Sequence, residues 1–129
     1  MADSDCLPDL RERTTEFALR IIRLYAALPK SSVPQVLGKQ AIRSGTSVGA
    51  QYREARRAIS SAEFISKIGG ALQELDETDY WLDLLVKGDV VPAKRLLDLR
   101  KETDELTAIF FSTVRTAKRR KQCGAVPPS

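Results

Sequence analysis

Apolar residues recur along this chain at spacings of three and four, in four stretches divided by prolines and turn residues, which is the pattern of amphipathic helices. In the first stretch Leu7, Leu10, Thr14, Phe17, Ile21, Leu24 and Leu28 line one face, predicting a helix from about Asp9 to Leu28 that Pro29 ends. Asp9 and Glu12 place negative charge in its first turn, where the helix dipole favours anions by ~0.3–1 kcal/mol. A second helix is expected from near Pro34 to about Ala58, capped by Ser31 or Ser32. Leu37, Ala41, Ser44, Val48, Tyr52 and Ala55 share one of its faces, and at ~100° per residue Lys39, Arg43, Arg53 and Arg57 fall on the opposite one.

Ser60-Ser61-Ala62-Glu63 reads as a capping box, with Ile59 and Phe64 at the two positions of a hydrophobic staple, so a third helix begins there. It carries Ile65, Ile68, Leu72, Leu75, Leu82 and Val86 to Lys87, where Gly88-Asp89 supplies the stop. The fourth is predicted from about Pro92 to Lys118, with Leu96, Leu99, Thr103, Leu106, Phe110 and Val114 inward. Helices of similar length joined by short links run antiparallel, which gives an all-α, up-down-up-down four-helix bundle. The expected organisation is a flexible N-terminus over 1–8, the bundle over 9–118, and a basic, proline-containing flexible tail over 119–129.

Composition narrows the chemistry. The 129 residues include no histidine, which removes Ser-His and Cys-His nucleophile systems and the common imidazole metal sites. Cys6 and Cys123 lie near opposite ends and make neither a disulfide framework nor a zinc knuckle, so a reduced, cytoplasmic setting is expected. No run approaches ~18 apolar residues and the start is acidic, so neither membrane insertion nor secretion is expected. Carboxylates on bundle helices invite a dimetal reading, but that design takes Glu-x-x-His from two helices. The expectation is therefore a protein that is not an enzyme and holds no cofactor or metal, an all-carboxylate Mg²⁺ or Mn²⁺ site being the distant alternative.

The formal net charge is +4, but it is unevenly spread: −1 over residues 1–29, +5 over 30–59, −5 over 60–89, zero over 90–114 and +5 over 115–129. Two readings of this asymmetry compete. In one, the basic back of the second helix meets the acidic third helix, within one subunit or across an interface. In the other, Lys39, Arg43, Arg53, Arg57, Lys118, Arg119, Arg120 and Lys121 form a phosphate-binding surface for RNA or DNA. No aromatic residues alternate with these positions, so contact would be limited to the nucleic-acid backbone.

Gly45 and Gly49 inside the second helix, and Gly69-Gly70 inside the third, each cost ~1 kcal/mol relative to alanine, which close approach of helix backbones would offset. Asp79 falls among Ile65, Ile68, Leu72 and Leu75 and needs a partner or shelter at an edge, the partner being an arginine of a neighbouring helix or a hydroxyl such as Ser44 or Thr14. Several helices carry a second apolar stripe: Ala18, Ile22 and Tyr25; Trp81 and Leu84, with Glu74 and Glu77 beside Trp81; and Leu97, Ile109 and Phe111. One four-helix core uses one stripe per helix, so a homo-oligomer is expected, with Trp81, Glu74, Glu77, Ile22, Tyr25 and Phe111 at its interface.

The stretch from Gln40 through Arg43-Ser44-Gly45-Thr46-Ser47 to Ala55, then Glu63-Phe64-Ile65-Ser66-Lys67, then Glu74 to Leu82 with its Glu77-x-x-x-Trp81, resembles the four-helix-bundle family of bacterial proteins encoded in intervening sequences of large-subunit ribosomal RNA genes. The resemblance runs from about Phe17 to Leu85. Gln51 stands where an asparagine is common, and the basic extension after Val114 is outside the pattern. The resemblance implies a bundle assembling into a closed pentameric ring, with no established enzymatic activity. The chain is also similar to the accessory protein of diversity-generating retroelements, which implies nucleic acid and a protein partner as candidates. By the same likeness Arg43, Ser44, Ser47, Glu54, Glu74 and Glu77 would be structural or at subunit contacts.

Overall fold

The computed structural model describes residues 9–124, and these form four helices and no strand: α1 (Leu10–Ala27), α2 (Ser32–Arg56), α3 (Ser61–Lys87) and α4 (Ala93–Gly124). Each helix packs along the next in sequence, whereas α1 meets α4 only sparsely. Connectors of four or five residues leave no room for a crossover, so neighbours run antiparallel. The apolar stripes converge on one core, in which Phe17, Ile21, Val48, Ile68, Leu75, Leu82, Leu106 and Phe110 are fully enclosed.

The helix starts follow their caps. Asp9 accepts from the Glu12 N–H through its side chain at 3.2 Å. Ser60 accepts from the Glu63 N–H at 3.0 Å, while the Glu63 carboxylate reaches back to the Ile59 N–H at 3.2 Å. The staple is not made: Ile59 is 94% exposed, and Phe64 packs on the core without it. Ser31 occupies the N-cap of α2 with no side-chain hydrogen bond, and α2 ends at Arg56, two residues before Ala58.

At the end of α3 the residue in the left-handed region is Asp89 (φ 59°), while Gly88 keeps an ordinary φ of −85°. The Val90 N–H reaches back to the Leu85 carbonyl at 3.0 Å and so satisfies one of the last carbonyls. α4 runs to Gly124, six residues beyond the expected end at Lys118, because Arg, Lys and Gln favour helix and no glycine or proline intervenes. Arg119, Arg120 and Lys121, expected in a tail, therefore stand on a helix. The expected flexible segment 1–8 and the last five residues, 125–129, lie outside the described residues.

Glycine sets the α1–α2 spacing. A Cβ on Gly45 would stand 2.9 Å from Ile21 Cγ1, one on Gly49 3.2 Å from Thr14 Oγ1, and one on Gly38 2.5 Å from the Tyr25 ring. Gly70 faces Gln51 in the same way, but nothing lies within 4 Å of a Cβ on Gly69, so close approach accounts for Gly70 and not for Gly69. At the open α1–α4 edge Arg13 forks onto Glu102 (2.7 and 2.8 Å) and also donates to Glu105 (2.7 Å). The Glu102 hydrogen bond leads in holding this guanidinium even more firmly protonated than usual.

Asp79 sits at the edge of the core, 3.7 Å from Arg100 of α4, which also meets Asp83 at 3.3 Å. The arginine of a neighbouring helix is its partner; Ser44 bonds Thr78, and Thr14 donates to the Leu10 carbonyl. Thr78, one residue earlier, is the polar group of α3 that the core encloses.

Candidate nucleic-acid interface

One end of the bundle gathers cations. Here α2 finishes with Arg56 and Arg57, the chain turns through Ala58–Ser60 into α3, and the last turns of α4 lie alongside. Two shallow depressions show that proximity: Lys118, Lys121 and Gln122 border Ala62, Ile65 and Ser66, and Arg120 borders Ile59, Ser60 and Phe64. Arg56, Arg57, Arg115, Lys118, Arg119, Arg120 and Lys121 are all exposed. None of the seven makes an ion pair among the described residues.

The eight basic residues expected to share a surface are thus divided. Arg57, Lys118, Arg119, Arg120 and Lys121 come together. Lys39, exposed on α2, lies ~27 Å along the helix axis from Arg57 at ~1.5 Å per residue. Arg43 turns toward α3, donating to Glu77 at 2.7 Å and standing 3.9 Å from Glu74. Arg53 turns toward α1 and donates to the Thr15 hydroxyl at 3.3 Å. The basic back therefore meets the acidic third helix at Arg43, inside one chain, and Lys67 bonds Glu54 in the reverse sense at 2.6 Å. Arg56 and Arg115, not among the eight expected, belong with the cluster; the charge of +5 over 115–129 was the signal that includes Arg115.

Of the residues expected at an oligomer interface, Ile22 (43%) and Phe111 (56%) are exposed, on α1 and on α4. They are not neighbours: Arg13 lies level with Glu102 and Glu105, so Phe111 stands near the start of α1 and Ile22 toward its end. Tyr25 is half-buried over Gly38 and donates to Gln35 at 2.7 Å. Glu74 and Glu77 face Arg43, and Trp81 is half-buried against the core and the Tyr80 ring. Burial, then the neighbouring Glu77, push the Glu74 carboxyl above the usual carboxylate range, partly offset by Arg43. Glu74 Oε1 and the Trp81 indole N–H are both buried without a hydrogen bond.

Among the described residues no group of three or more His, Cys, Asp or Glu side chains is placed to hold a metal, and no helix is long and apolar enough to cross a membrane. The class is an all-α bundle with one cationic end. Within that class, the chain matches the 23S rRNA-intervening sequence protein family over residues 9–112 and belongs to it. It is similar to a crystal structure of a protein of unknown function from the S23 ribosomal protein family of Bacteroides thetaiotaomicron, at 36% identity and a TM-score of 0.75, covering 81% of this chain and 96% of that one. No curated protein matches the chain.

Proposed function

We propose that this protein is a non-enzymatic, cytoplasmic homo-oligomer, a pentameric ring as the family resemblance implies, that grips the sugar-phosphate backbone of RNA or DNA without reading sequence. The observation that carries this reading is the unpaired cationic end formed by Arg56, Arg57, Arg115 and Lys118 to Lys121. Cations with no carboxylate partner are available to phosphates, and each phosphate neutralised releases counterions. Aromatic side chains are absent from the patch apart from Phe64 beside Arg120, which favours backbone contact over base stacking.

The test is a salt titration of binding to an unrelated RNA hairpin and a DNA duplex. If about five phosphates are engaged, log affinity falls against log salt with a slope of roughly −4. Reversing Lys118, Arg119, Arg120 and Lys121 to Glu should abolish binding, and Lys39→Glu should change it little. No binding at low salt, or binding indifferent to the quadruple reversal, overturns the reading. In that case the alternative holds: an accessory scaffold that meets protein partners through exposed Leu19, Ile22, Leu97 and Phe111. Light scattering tests the oligomer directly, since a mass near 14.3 kDa contradicts it.

A further inference from the structure

At the opposite end of the bundle a cleft of about 510 Å³ opens between the second half of α1 and the first turns of α4. We infer that it docks an acidic amphipathic helix of another protein. Its floor is the edge of the core, formed by buried Leu28, Val91, Leu96 and Leu99, and half-buried Leu24 and Val90 beside them supply its open apolar surface. Its rim is cationic: Arg20 and Arg23 on α1 and Arg95 on α4, against the single Asp98. Arg20 and Arg95 have no ion pair among the described residues, and Arg23 has only the solvent-exposed one with Glu16 at 3.0 Å.

An apolar slot between two helices, edged by cations, suits a helix that inserts apolar side chains and sets carboxylates on its flanks. From Arg20 to Ala27 the α1 wall is ~11 Å long at ~1.5 Å per residue, enough for two or three anchors spaced three or four apart. A second copy of this chain is a poor occupant. Most carboxylates of the described helices already pair with Arg13, Arg23, Arg43, Lys67, Lys87 or Arg100. Of those left, Asp9 and Glu63 accept backbone N–H groups as helix caps, and Glu12, Asp76, Asp89, Asp98 and Asp104 are scattered with no two a turn apart.

This site is separate from the proposed nucleic-acid surface and stands or falls independently of it. The test uses the full chain and a fluorescein-labelled helical peptide with Leu at i, i+4 and i+7 and Glu on both flanks. Controls replace its Glu by Lys or its Leu by Ser. The acidic peptide should bind, about tenfold or more tightly than either control, and weaken as much with Arg20→Glu/Arg95→Glu. Arg119→Glu/Arg120→Glu, at the other end, should leave it unchanged. Equal binding of the Lys peptide, no binding of the acidic one, or indifference to Arg20→Glu/Arg95→Glu overturns the inference. So does a change of assembly mass in Arg20→Glu/Arg95→Glu by light scattering, which marks the cleft as a self-interface. Loss of anionic-vesicle binding in that variant, without peptide binding to the parent, assigns the cleft to a membrane and also overturns it.

Discussion

Thr78 of α3 donates to Ser44 of α2 at 2.8 Å, hydroxyl to hydroxyl, with both side chains fully buried in the seam between the two helices. Ser44 donates in turn to the Gln40 carbonyl at 3.1 Å, and Thr78 Oγ1 also lies 2.8 Å from the Glu74 carbonyl oxygen. A polar pair inside an apolar seam fixes which turn of α3 faces which turn of α2, because any slip leaves both hydroxyls without each other. Thr78→Val should cost about 1–2 kcal/mol in urea unfolding, and Ser44→Ala about 1 kcal/mol or less. The double variant should cost less than the sum; strict additivity would show that the two hydroxyls are not coupled.

Two mid-helix glycines should respond to the same substitution with opposite signs. Gly45→Ala drives a methyl to 2.9 Å from Ile21 Cγ1, and Ile21 is fully buried, so overpacking should outweigh the helix-propensity gain with a net loss of about 1 kcal/mol or more. Gly69→Ala meets nothing within 4 Å and should stabilise by about 0.5–1 kcal/mol. Thermal melts of the two variants decide the matter, and a destabilised Gly69→Ala would mean that this face is covered in solution.

Glu74 makes stability depend on pH in an unusual direction. Its folded carboxyl titrates above the unfolded value, so in that interval the folded chain binds more protons than the unfolded one. Stability therefore rises as pH falls from neutral through the Glu74 range, which lies above the ordinary carboxylate value. Glu74→Gln should leave neutral-pH stability unchanged or higher and flatten the profile in that window. Glu77→Gln, which loses the 2.7 Å bond to Arg43, should not raise it. Urea midpoints across pH 4 to 7 read both effects; a Glu74→Gln variant less stable than the parent at neutral pH contradicts the assignment.

Asp89 adopts φ 59° without glycine's freedom. Asp89→Gly should stabilise the α3–α4 turn by about 0.5–1 kcal/mol, since a left-handed residue with a Cβ is strained. An unchanged melting temperature would show that the aspartate side chain already offsets that strain.

Much of this architecture is legible along the chain, and the misses share a cause. The four stripes, the Ser60 cap and the close-approach glycines Gly45 and Gly49 are local patterns, and local geometry decides them, whereas Asp9, expected as first-turn charge, is the N-cap. Whether Thr78 or Asp79 enters the core depends on a helix rotation of a few tens of degrees, which a single-helix wheel does not fix. Arg43 and Arg53 sit on the outward arc of α2, yet each bends to an adjacent helix, Arg43 to Glu77 and Arg53 to Thr15. Charge counting anticipates that the basic second helix meets the acidic third, but not which cation turns to which neighbour. Ile59 fits the staple by position and still points to solvent, while Phe64 packs on the core.

The neighbour-to-neighbour packing of α1 on α2, α2 on α3 and α3 on α4, with α1 barely touching α4, bears on how the chain acquires its shape. Every extensive contact closes a hairpin between consecutive segments, so loop closure is cheap and the contact order is low, a topology associated with folding in microseconds to milliseconds. Such a molecule can be assembled one hairpin at a time as it leaves the ribosome, with the Arg13 fork onto Glu102 and Glu105 latched last.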